Sequence, residues 1–170
     1  GKAIADMHVQ LMGSGAILGE VQAAADMLKK EFKVTSDTWS VTSYSELRLD
    51  AQDAQRWNRL HPTQEGRKAY ACELMQDKVG PVIAASDYIK LVAEQISIFI
   101  DKPFIALGTD GFGRSESREE LRKFFEVDRY SIVVSALFQL QKLDVIKGDV
   151  VAKAIKKYKI QTESDNPVKR

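Results

Sequence analysis

Four times before residue 126 a short apolar run gives way to an apolar stripe of helical period, and this alternation leaves few architectures open. "HVQLM", His8 to Met12, reads as a strand. After the turn "GSG" a helix to about Phe32 aligns Ile17, Val21, Ala24, Leu28 and Phe32. "TWSVTSY", Thr38 to Tyr44, alternates and is rich in β-branched residues, which predicts a second strand. It feeds a helix opened by Ser43 and Glu46 at capping-box spacing, carrying Leu47, Ala51, Ala54 and Leu60, and stopped by Pro62. From Pro62 to Lys78 a loop precedes a short helix in "AYACELMQ". "PVIAAS", Pro81 to Ser86, is a buried strand, and Ser86 or Asp87 caps a helix bearing Ile89, Val92, Ile96 and Phe99. "FIALG" is the fourth strand. A helix from Ser117, with Glu120 completing a second capping box, runs to about Phe125, and helices Tyr130–Leu143 and Val150–Ile160 follow. Right-handed crossovers fold this order into a mostly parallel sheet covered on both faces, a three-layer α/β/α domain whose ligands would sit at the carboxyl ends of the strands.

With 170 residues the chain can bury a core of its own without a disulfide or structural metal. Residues 1–160 read as one domain and 161–170 as a polar, frayed tail. Cys72 is the single cysteine, so an intrachain disulfide and a cysteine-based zinc site are excluded, in keeping with a reducing, cytoplasmic setting. The net charge of +1, with acids and bases mixed, gives no footprint for nucleic acid. The cluster Lys153, Lys156, Lys157 and Lys159 has no interleaved aromatics and reads as a solvated helix face. Apolar runs such as "ISIFI" are too short to span a bilayer, so no membrane partner is expected. The chain opens at Gly1 in a connector-like polar run and reads as a piece of something longer.

The turn after Leu107 carries the sharpest chemical signal. From Gly108 to Ser115 it spells G-x-x-x-x-G-R-S, a phosphate-binding loop with arginine in place of the lysine. In such a loop the helix starts inside the motif, whereas here the strong cap is Ser117, beyond Ser115. A glycine-rich turn held by Asp110, Arg114 and Arg118 through hydrogen bonds is the plainer reading. His8 within a strand and His61 before Pro62 have no serine, cysteine or carboxylate beside them in sequence, which points to structural roles.

The segment "LGTDGFGRSESREELRKFFEVD", residues 107 to 128, closely resembles the signature of the homodimeric bacterial pyruvate dehydrogenases. "VQLMGSGAIL", "SVTSYSELRLDAQDAQRWNRLHP" and "ASDYIKLVAEQ" agree in order, so the resemblance spans the chain and falls on the family's last, transketolase-type C-terminal domain. It implies a sheet of about five strands with one antiparallel. It also implies a parent subunit that decarboxylates pyruvate on thiamine diphosphate with Mg²⁺ and reductively acetylates lipoyl groups of the dihydrolipoyl acetyltransferase. The family's Gly-Asp-Gly…Asn-Asn cofactor motif is absent: the asparagines are Asn58 and Asn166, and the nearest look-alike is Thr109-Asp110-Gly111. No catalytic, cofactor or metal residue carries over. The resemblance implies an assembly role, with contacts to the preceding domains of the same subunit and to a second identical subunit. Asp110, Phe112, Arg114, Ser115 and Arg118 are the candidate contact residues, Phe112 as apolar anchor and Arg114 and Arg118 as charged partners. A regulatory module binding a nucleotide or phosphate at the Gly108–Ser115 turn is the alternative.

Overall fold

The computed structural model describes residues 7–169. Four strands, β1 (His8–Gly13), β2 (Thr35–Ser40), β3 (Val82–Ala85) and β4 (Phe104–Leu107), form an all-parallel sheet in the order β2-β1-β3-β4. Between and after them lie α1 (Leu18–Met27, extended by a wider turn at Leu28–Phe32), α2 (Tyr44–Leu60), α3 (Tyr70–Gln76), α4 (Lys90–Glu94), α5 (Arg118–Phe124), α6 (Arg129–Lys142) and α7 (Gly148–Lys157).

Strand alternation sorts the core into two layers. Val9, Leu11, Ile83 and Ala85 turn to one face, with Ile105 and Leu107 beside them, and meet α1, α6 and α7 through Val21, Leu28, Ile132, Leu137, Leu140 and Ala154. Met12, Val82 and Ala84 turn to the other, where Tyr44, Met75, Ala93 and Ile96 come from α2, α3, α4 and the turn after it. Leu11, Ile83 and Ile105 stand in one row across three strands, fixing the register. Fully burying a leucine or isoleucine of this kind contributes about 1.5–3 kcal/mol.

The structure corrects several expectations. Among the described residues the sheet has four strands, all parallel, and no antiparallel fifth. The stretch 62–80 is loop and α3, as its pattern suggested, while residues 1–6 lie outside the described residues. The second strand is β2 at Thr35–Ser40, earlier than Thr38–Tyr44, because Ser43 is the N-cap of α2 and Tyr44 its first residue. The Ser43 hydroxyl accepts from the Glu46 amide at 3.2 Å, so the capping box wins over strand propensity. The helix expected from Ser86 to Phe99 breaks into the five-residue α4 and a 3₁₀ turn at Ser97–Phe99. The tail expected to fray forms a 3₁₀ turn at Pro167–Lys169 with Pro167 buried. Both histidines make local contacts. His8 Nδ1 lies 2.7 Å from Thr35 Oγ1 and Nε2 3.4 Å from Asp37 Oδ2, and the His61 ring stacks on Trp57 at 4.4 Å. Among the described residues no helix is long and apolar enough to cross a membrane.

Candidate functional site

β3 and β4 end side by side, and the segments leaving them are tied together. After β3 the Ser86 hydroxyl accepts from the Tyr88 amide at 2.8 Å, drawing the chain across Gly108. A Cβ on Gly108 would lie 2.5 Å from both Lys90 N and Tyr88 O, so close approach of backbone dictates glycine there. Thr109 donates its amide to Tyr88 O at 2.9 Å and its hydroxyl to Asp87 O at 2.8 Å. Both Asp110 carboxylate oxygens accept the Lys90 amide at 3.3 Å, so α4 is capped from the neighbouring turn rather than from its own segment. Gly111 follows at φ +115, in the glycine-favouring region, with the tail's Pro167 carbonyl against it.

Beside this turn lies an open cleft of about 340 Å³, with Asp87, Arg114, Arg118 and Arg122 on its walls and Leu121 and Phe125 as apolar lining. Its far wall is α5, started where the Ser117 hydroxyl accepts from the Glu120 amide at 3.3 Å. Arg118 and Arg122 are four residues apart and therefore share one face of that helix. Arg122 is suspended between Glu20 Oε1 at 3.4 Å and Asp87 Oδ2 at 3.5 Å, and its side chain is only 14% exposed. Its Nε and Nη2 are buried without a hydrogen-bond partner. Glu20, at the start of α1, is committed mainly to Arg129: it accepts from the backbone N at 3.0 Å and from Nε and Nη2 at 2.9 Å each. Those side-chain hydrogen bonds hold the Glu20 carboxyl below the usual glutamate range, although burial pushes it up.

The expected contact residues separate by role. Asp110 is a brace within the chain. Arg114 lies over the Phe124 ring at 4.0 Å, so it is held by a cation–π contact instead of the hydrogen bond imagined for it. Arg118 lines the cleft, Phe112 is 82% exposed beside it, and Ser115 is exposed in irregular backbone. The phosphate-loop pattern fails in geometry, since α5 begins at Arg118, beyond Ser115. Asp87, Glu20 and Arg122 were missed. Arg122 was within reach, because its four-residue spacing from Arg118 on a predicted helix places both on one face.

Three arginines and one aspartate line the cleft, a donor set whose chemistry suits an oxyanion and that holds no nucleophile and base in contact among the described residues. Among the described residues no three His, Cys, Asp or Glu side chains group to hold a metal. A second cleft of about 300 Å³ between α2 and α3, lined by Ala51, Ala54, Ala69 and Cys72, is no better equipped. There burial, reinforced by the Asp50 charge, pushes the Cys72 thiol up, and Sγ donates to the Phe99 carbonyl at 2.7 Å.

Residues 2–128 match the family model of the transketolase-like TK C-terminal domain. The chain belongs to that family. Among full-length relatives, the "Pyruvate dehydrogenase E1 component" of Pseudomonas aeruginosa is 51% identical over 162 residues, 95% of this chain and 18% of that protein. The proteins of the same name from Escherichia coli strain K12 and Cupriavidus necator are 49% and 48% identical, again over 18% of their length. The transketolase C-terminal domain described here thus spans less than a fifth of the relatives that it matches. A solved structure titled "Split gene transketolase, inactive beta4 tetramer" superposes with a TM-score of 0.52 at 15% identity, covering 80% of this chain and 40% of that one. At that identity the likeness concerns the fold alone.

Proposed function

We propose that this transketolase C-terminal domain is a non-catalytic assembly domain of a cytoplasmic pyruvate dehydrogenase E1 subunit. That subunit would decarboxylate pyruvate on thiamine diphosphate and Mg²⁺ and pass the acetyl group to lipoyl groups of the dihydrolipoyl acetyltransferase. The observation that carries the reading is the exposure of Phe112, Tyr88 and Leu91, at 82%, 67% and 64%, on the segments that leave the strand ends beside the arginine cleft. Apolar side chains so exposed, next to a charged cleft, mark a surface made to be covered. Neighbouring domains of the same subunit and a second identical subunit are the partners this reading supplies.

The domain's own residues do not fit the cofactor. Its strand-end cleft offers arginines and a single carboxylate where a diphosphate bound through Mg²⁺ needs several oxygen donors on the metal. No catalytic step is therefore assigned to this chain. Titration of the 170-residue chain with thiamine diphosphate and Mg²⁺, followed by a pyruvate decarboxylation assay, tests this. No saturable heat and no carbon dioxide are expected. One-to-one binding at micromolar cofactor would overturn the assignment.

A further inference from the structure

We propose that the arginine cleft is the socket for an acidic side chain from the remainder of the E1 subunit, and that Tyr88, Leu91 and Phe112 form the apolar collar covered by the same segment. This rests on the assembly reading and names the chemistry of the partner at that surface. Charge points to it first. Arg114, Arg118 and Arg122 face the cleft against Asp87 alone, and Glu20, which reaches Arg122, is already engaged by three hydrogen bonds from Arg129. Glu119 and Glu120 do not line the cleft, because the helix turns the face bearing Arg118, Leu121 and Arg122 into it. Arg118 has no acidic partner among the described residues, and of the buried Arg122 nitrogens Nε lacks a hydrogen-bond partner while Nη2 has only the 3.5 Å ion pair with Asp87 Oδ2. A guanidinium pair left in this state favours a carboxylate, which can accept from both in the fork geometry.

The surroundings favour a protein side chain over a free anion. Tyr88 and Phe112 each adjoin a cleft-lining residue in sequence, Asp87 for one and Gly111 and Gly113 for the other. Leu91 follows Lys90, whose amide Asp110 holds at the same turn. Arginine anchors in protein contacts are ringed by side chains that exclude water from them, a part that exposed Tyr88, Leu91 and Phe112 can play once covered. The relatives supply such a segment, since more than four fifths of their length lies outside the matched region.

The test joins the chain to the preceding region of the Pseudomonas aeruginosa relative, with the Escherichia coli relative as second host. In the joined subunit Arg118→Lys places an amine at the socket. A water-soluble carbodiimide then condenses it with a carboxylate in direct contact, the activated oxygen leaving as the urea and an amide forming. Mass spectrometry should find position 118 linked to an aspartate or glutamate outside this chain. Amide exchange of residues 109–117 should be about tenfold slower in the joined subunit than in the free chain, with Arg118→Glu abolishing that difference while α6 stays protected. If Tyr88 and Phe112 exchange equally fast in both, the assembly reading itself falls. If they are protected but no cross-link forms and Arg118→Glu has no effect, the carboxylate socket alone is overturned. Saturable binding of inorganic phosphate or pyrophosphate to the free chain, lost in Arg118→Glu, would reassign the cleft to a small phosphate ligand.

Discussion

Tyr44 is 3% exposed, and its hydroxyl is buried among the apolar residues of α2, α3 and α4 without a hydrogen-bond partner. Burial pushes its ionisation above the ordinary tyrosine range, so the hydroxyl is neutral at any physiological pH. A buried hydroxyl without a partner costs about 1–3 kcal/mol, so Tyr44→Phe should raise stability by about 1 kcal/mol. A urea midpoint lower than that of the parent would show that the hydroxyl has a partner after all. Glu20 is the opposite case, a half-hidden carboxylate that accepts four hydrogen bonds, three from Arg129 and one from Arg122. Its folded-state ionisation is depressed below the reference 4.5, so its contribution is complete above about pH 4.5 and is lost as acid takes the pH down through the folded value. Glu20→Gln should lower stability by about 2 kcal/mol at pH 7, less than the 3–5 of a fully buried pair because Arg129 is 42% exposed. The gap between the two proteins should narrow as acid takes the pH from 4.5 down toward the folded value. Thermal unfolding followed from pH 3 to 7 reads this directly, and a gap that stays constant across that range would refute the linkage.

At the level of elements, the turn between β4 and α5 has the narrowest tolerance. The backbone of Tyr88 and Lys90 leaves no room for a side chain on Gly108, and neither segment can yield without breaking the Thr109 and Asp110 hydrogen bonds. Gly108→Ala should therefore cost about 2–3 kcal/mol and loosen α4, whereas Gly113→Ala, which meets open space, should cost under about 1 kcal/mol. Equal losses at the two positions, measured by denaturant midpoint, would contradict the crossing of segments described above. The sequence carried the strands and capped helices well, because a serine three residues before a glutamate reports its own local hydrogen bond, as Ser43 and Ser117 do. It misled at α4, whose cap comes from Asp110 twenty residues further on, a pairing invisible to local pattern. The site was half legible. Phe112 and Arg118 stand where a turn motif suggested, but Glu20 and Asp87 reach Arg122 only through tertiary folding.

For the molecule as a whole, two apolar layers on a four-stranded sheet give the chain an interior of its own. The isolated chain should unfold cooperatively on heating, with a stability of about 5–15 kcal/mol. A broad, non-cooperative melt would mean that its order depends on the segment that covers the strand-end face. The two outermost strands lead to a different consequence. Among the described residues β2 pairs only with β1 and is polar apart from Trp39, with Asp37 reached by His8 and Lys78, whereas β4 pairs only with β3 and is the apolar run Phe104–Leu107. A charged rim resists the addition of a foreign strand, and an apolar one invites it. When the free chain is concentrated or warmed, its colloidal weakness therefore lies at β4: turbidity will nucleate there before the helices melt, and a soluble preparation is obtained by shielding that rim rather than by strengthening the interior.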